Sequence, residues 1–152
     1  MTLIVNRRRR NPARKTERGF TLVEMLVVIT IIALIMALVG PRVLNYLSDS
    51  KIKAAKIQIE NFSSALDLFY LDAGHYPTTA EGLRALLERP GGTVAWAGPY
   101  LKGDAVPNDP WGNPYIYRSP GQHGRYDIAS YGADGQEGGT GADADVTSWT
   151  KR

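Results

Sequence analysis

The chain has 152 residues, 22% of them charged and none of them cysteine, with a formal net charge of +3. That length suits one small domain with a modest core, and the missing cysteines exclude disulfides, thiol chemistry and cysteine-based zinc sites. The charge is unevenly placed: ahead of Gly19 stand Arg7, Arg8, Arg9, Arg10, Arg14, Lys15 and Arg18 against the single acid Glu17, a segment of +6 that leaves −3 for the rest.

A basic block directly before an apolar span fixes membrane orientation, with the cations cytoplasmic and the remainder carried across. A nucleic-acid-binding arm is the rival reading of Arg7 to Arg10. From Phe20 to Val39 run twenty residues in which Glu24 is the only charge. As a helix they span about 30 Å, the thickness of a bilayer core. A carboxylate there costs on the order of a few kcal/mol unless it finds a partner. The span exceeds the about 7–15 apolar residues of an ordinary secretory signal, and Ala33, Ala37 and Gly40 form no clear cleavage site after it. An uncleaved signal anchor therefore competes with a processed leader.

Gly40-Pro41 interrupts the span, and proline removes a helix donor and clashes with the preceding turn, so a kink or local melting is expected there. Either the membrane helix ends at this point, or the pair is a hinge. Ile52, Ala55, Ile59, Phe62, Leu66 and Phe69 then recur at spacings of three and four, the stripe of an amphipathic helix. Gly74 is the expected C-terminal cap, giving one long helix from about Phe20 to Ala73.

Thr78-Thr79-Ala80-Glu81 fits a capping box before a short helix whose apolar face is Leu83, Leu86 and Leu87. After a Gly- and Pro-rich loop from Pro90 to Pro114, the segments 115–118 and 125–131 read as strands joined through 119–124. The tail from Gly132 to Arg152 reads as irregular. The expected architecture is α+β: a long N-terminal helix packed on a small antiparallel sheet, with an irregular C-terminal loop.

Asp134, Glu137, Asp143 and Asp145 lie close together among glycines in that tail. Hard oxygen donors on a flexible loop suit Ca²⁺, although the spacing is not that of an EF-hand and acidic Gly-rich loops are more often just solvated. His75 and His123 have no second metal-ligand residue at the right spacing and read as surface or packing residues. Trp96, Trp111 and Trp149 read as core or loop anchors. Ser63, Ser64 and Ser130 have no nucleophile-elbow context, and no phosphate-binding loop is present.

The run Arg18-Gly19-Phe20-Thr21-Leu22-Val23-Glu24, with its apolar span to Pro41, resembles the N-terminal signature of the type IV pilin superfamily. Tyr76-Pro77-Thr78-Thr79, Glu81-Gly82-Leu83, Asp109-Pro110-Trp111-Gly112-Asn113-Pro114-Tyr115, Ser119 to Gly124 with Asp127, and Ser130 to Gly135 resemble the major pseudopilins of type II secretion systems. The resemblance implies three parts: a cleaved class III leader, 1–19; a transmembrane and assembly helix, 20–41; and a periplasmic domain, 42–152. A prepilin peptidase cuts between Gly19 and Phe20 and methylates the new amino group of Phe20. Glu24 pairs with that cation on a neighbouring copy, which removes a charge penalty where water is absent.

The implied product is a non-enzymatic helical homopolymer, single-pass in the bacterial inner membrane before assembly. It works with minor pseudopilins and an inner-membrane assembly platform, drives export of folded proteins across the outer membrane, and has no nucleic-acid partner. The assembly ATPase is a separate polypeptide. A structural Ca²⁺ is implied in the tail loop, carried onto Asp134 and Asp145 with Asp143 as a further ligand and carbonyls near Tyr131 and Gly138. A type IV pilin for adhesion, motility or DNA uptake, and a membrane-anchored periplasmic enzyme, are the alternatives.

Overall fold

The computed structural model describes residues 19–150. The basic leader residues, other than Gly19 itself, lie outside the described residues.

Helix α1 spans Leu22–Ala73. It begins two residues later than the apolar run because Thr21 caps it: the Glu24 amide donates to Thr21 Oγ1 at 3.2 Å. It ends where expected, at Gly74, whose φ of 77° lets its amide reach the Tyr70 carbonyl at 2.8 Å. The local melting expected at Gly40-Pro41 does not occur, since Pro41 lies inside the unbroken helix. A single proline deletes one backbone hydrogen bond, and the neighbouring turns keep theirs. The chain divides at this bond into two compact units, one ending at Gly40 and one beginning at Pro41. In the first unit the described residues before Gly40 are exposed throughout.

The second unit contains the core. The stripe Ala55, Ile59, Phe62, Leu66 and Phe69 is buried, joined by Leu83, Leu86, Tyr115, Tyr117, Ile128 and Val146. Phe62 meets the Tyr115 ring edge-on at 5.1 Å. Tyr117 donates its hydroxyl to the Pro77 carbonyl at 2.8 Å, and burial pushes its pKa up to about 12. The sheet has three antiparallel strands, β1 (Ile116–Arg118), β2 (Asp127–Ser130) and β3 (Val146–Thr147), in that spatial order. β3 corrects the expectation of an irregular tail: its two β-branched residues pair with Ala129 and Ser130.

The register puts Ile116, Ala129 and Thr147 in one row, and alternation sends Tyr117, Ile128 and Val146 to the core face. All four residues of β2 are buried, so its outer face is covered as well.

The capping box forms, but it closes a turn rather than an α-helix. Glu81 Oε2 accepts from the Thr78 amide at 2.7 Å and from its hydroxyl at 2.8 Å, and the Glu81 amide returns to Thr78 Oγ1 at 3.3 Å. A single 3-10 turn, Leu83–Leu86, comes next, with Leu87 outside it. The seven residues between Gly82 and Pro90 are too few to sustain an α-helix.

The hydrogen bond from the Thr78 amide is the first cause holding the Glu81 carboxyl below its usual pKa, with the hydroxyl bond second. A depressed carboxylate stabilises above its unfolded pKa and loses that contribution as pH falls through its folded value. Glu81→Gln is therefore expected to flatten the acid limb of a stability–pH curve while changing stability little at low pH.

Candidate functional site

Two places were singled out by sequence: the head of α1 and the C-terminal loop. At the head, Gly19 and Phe20 are exposed and precede the first helical turn, Phe20 to 75%. Glu24 sits in the first turn of α1, where the unpaired amides at the helix N-terminus favour an anion.

The C-terminal loop folds over the outer face of the sheet. Gly132, at φ 63°, and Gly139, at φ 87°, both lie against the Asp143 backbone; a Cβ on either would come within 2.7 Å and 2.5 Å of it. These glycines let residues 132–145 double back, and the Ala133 amide meets the Ala142 carbonyl at 3.1 Å. Asp145 Oδ2 accepts from the Gly138 amide at 2.9 Å, while its Oδ1 is buried without a partner. A buried, unpartnered carboxylate oxygen costs several kcal/mol unless a proton or a cation meets it.

Asp145, Glu137, Asp127 and Tyr131 line a cavity of about 50 Å³ together with Arg118 and His123. That is room for a water or a metal ion. Asp134 and Asp143 do not line it. Asp134 instead accepts from the Gln136 amide at 3.1 Å in an exposed turn. Among the described residues no three His, Cys, Asp or Glu side chains gather as a metal cluster. The unpartnered Asp145 oxygen is the one feature that fits a hard cation, and of the other tail acids only Glu137 lines the same cavity.

Two buried carboxylates fasten this loop, and the sequence reading gave neither a role. Asp127 accepts from the Gln122 amide at 2.8 Å, the His123 amide at 3.2 Å and His123 Nδ1 at 3.1 Å. Burial pushes its pKa up, but the bonds from Gln122 and His123 outweigh it and leave the carboxyl below its usual value. A Cβ on Gly121 would strike Asp127 Oδ1 at 2.7 Å, so only glycine lets the carboxylate sit there.

The His123 ring lies flat on Trp149, centroids 4.2 Å apart at 4°. The hairpin is thereby tied to the last described residues of the chain. Trp149→Ala is expected to speed amide exchange across residues 145–149 while leaving the α1 core protected.

Asp109 is the second such group. Oδ1 accepts from the Trp111 and Asn113 amides at 3.0 and 2.8 Å, and Oδ2 from the Ser130 hydroxyl at 2.6 Å. Asn113 Nδ2 donates onward to the Gly132 carbonyl at 3.1 Å. The Asp-Pro-Trp-Gly-Asn spelling of this Asx-type turn was the signal available in the sequence.

Residues 42–149 match the family model of type II secretion system protein G, and residues 14–40 match the prokaryotic N-terminal methylation motif. The chain belongs to the type II secretion system protein G family. It is 44% identical to the type II secretion system core protein G of Pseudomonas aeruginosa, over 90% of this chain and 97% of that one. The Vibrio cholerae core protein G is 40% identical, over 89% and 93%. The fold also matches the crystal structure of the major pseudopilin from the type 2 secretion system of enterohaemorrhagic Escherichia coli, with TM-score 0.60 and 30% identity over 70% of this chain and 92% of that one. The pilin-like reading of the fold is thereby established, and the family is one of secretion-system subunits.

Proposed function

We propose that this chain is the major structural subunit of a type II secretion pseudopilus, polymerising in the periplasm to move folded proteins across the outer membrane. The family match over residues 42–149 carries the reading. The exposed apolar side chains of the first unit support it, because they need either lipid or other helices around them.

In this reading the chain inserts once in the inner membrane with residues 42–152 in the periplasm. A prepilin peptidase removes residues 1–19 and methylates Phe20. Glu24 then neutralises the new amino group of a neighbouring copy during assembly. Pro41 lies where the assembly helix meets the periplasmic domain. Minor pseudopilins and the inner-membrane platform are the expected partners, and the role is structural rather than catalytic.

A calcium ion belongs to the proposal as a structural ligand. Asp145 is its best-supported donor because Oδ1 is buried and unpartnered. Asp134 and Asp143 would have to swing toward it, whereas Glu137 already faces the same cavity. When bound, the ion would hold down a loop with little apolar content, so its binding energy acts as local folding energy.

Mass spectrometry of the protein from cells carrying the prepilin peptidase tests the processing. The expected mature chain starts at Phe20 with one added methyl group. A chain retaining residues 1–19 in those cells would contradict the reading.

A further inference from the structure

A cleft of about 350 Å³ opens where α1, the connection between β1 and β2 and the end of the chain meet. That is the size of a small-molecule site. Three aromatic side chains line it: Tyr76, Tyr126 and Trp149. Tyr76 and Tyr126 are partly buried and meet edge-on at 4.9 Å. Trp149 gives one face to His123 and is still 37% exposed.

Two charged groups stand among these rings. The Tyr76 hydroxyl donates to Asp67 Oδ1 at 3.0 Å and accepts from Arg125 Nη1 at 3.5 Å. The Arg125 guanidinium also lies over the Tyr70 ring, 5.9 Å from its centroid, and Tyr70 is stacked on Tyr76 at 4.8 Å. Both residues are exposed, yet each is held by the tyrosines rather than left to solvent. They form no salt bridge with each other; the ion pairs among the described residues are Arg84–Glu88 and His123–Asp127. Arg125 therefore keeps free donors, and Asp67 a free acceptor oxygen, on either side of one aromatic ring.

We infer that this cleft binds an uncharged sugar residue of a glycan chain. A sugar hydroxyl both donates and accepts, so neighbouring hydroxyls on one ring satisfy Arg125 and Asp67 together. The C–H face of the same ring lies on an aromatic side chain, as an apolar surface does. The charges of Asp67 and Arg125 cancel: an anion drawn to Arg125 meets Asp67, and a cation the reverse. Asp127, which also lines the cleft, is buried and already accepts from Gln122 and His123. An extended peptide needs partners for its main chain, whereas the groups fixed here are side chains. The inference goes beyond the filament-subunit reading and does not depend on it. On that reading the cleft repeats in every copy, so weak binding at one site adds up along a glycan strand.

Saturation-transfer NMR and calorimetry on the full chain in phosphatidylcholine nanodiscs test it. Chitotriose serves as the probe for an acetamido glycan and cellotriose for a plain glucan. The expected result is saturable binding of one or both, with a Kd of about 1 mM. Stronger binding of chitotriose assigns an acetamido glycan, and equal or stronger binding of cellotriose a plain glucan. Arg125→Ala and Asp67→Asn, both at exposed positions, should each weaken binding about tenfold or more, because each removes hydrogen bonds to a charged group. Arg84→Ala, an exposed arginine outside the cleft, should bind like the unsubstituted chain.

Absence of saturable binding by both sugars would overturn the inference. So would unchanged affinity in Arg125→Ala and Asp67→Asn, which would place the sugar elsewhere. An acidic peptide with the sequence of residues 132–145 is the third probe. If it bound at the cleft while neither sugar did, the site would be a peptide site and the glycan reading would fall.

Discussion

Replacing Asp109 with alanine is expected to lower the unfolding midpoint of residues 42–152 by roughly 10–20 °C. The fragment is a fair object for this test because every buried core residue lies between Ala55 and Val146. Asp109 is 5% exposed and closes three hydrogen bonds, two to backbone amides and one to Ser130. Alanine leaves all three donors without an acceptor. Each unsatisfied buried group costs about 1–3 kcal/mol, and partial access of water brings the sum to about 3–5 kcal/mol.

Asp109→Asn keeps one acceptor oxygen but sets an amide group against a donor, so an intermediate loss of about 1–2 kcal/mol is expected. Thermal circular dichroism on both variants checks the order. A fall of under about 3 °C for the alanine variant would show that the turn is held by other means.

Calcium is expected to raise the midpoint of the same fragment, and chelator to lower it. A ligand bound only by the native state, at a hundredfold excess over its dissociation constant, stabilises by about 2.7 kcal/mol, which is roughly 10 °C for a domain of this size. Asp145→Ala should abolish the response, since Asp145 lines the cavity and its buried Oδ1 has no partner. Asp134→Ala should abolish it if the loop closes around the ion. Comparing Glu137→Gln with Asp143→Ala then decides the remaining donor, and the geometry favours Glu137. Superimposed curves in calcium and chelator would remove the metal from the account.

Much of the fold was legible because its signals are local and repeated. The 3.6-residue stripe through Phe62 and Leu66, the terminal Gly74 and the Thr78–Glu81 box each state their structure within a few residues. What escaped depends on contacts distant in sequence. β3 is two residues long and exists only because Ala129 and Ser130 are there to pair with it. The 3-10 turn at Leu83 replaced an α-helix because Gly82 and Pro90 bound the segment to seven residues, too few to sustain one.

At the site, composition gathered four acids into one loop. It could not say that Glu137 and Asp145 share a cavity while Asp134 bonds its own turn. The stacking of His123 on Trp149 joins residues far apart in the chain.

Secretion by a strain lacking this chain tests the functional reading most directly. Folded proteins that normally reach the medium should stay in the periplasm, return to the medium when the full chain is restored, and stay behind when Glu24→Ala is supplied instead. Undiminished export from the deletion strain would contradict a major pseudopilus subunit.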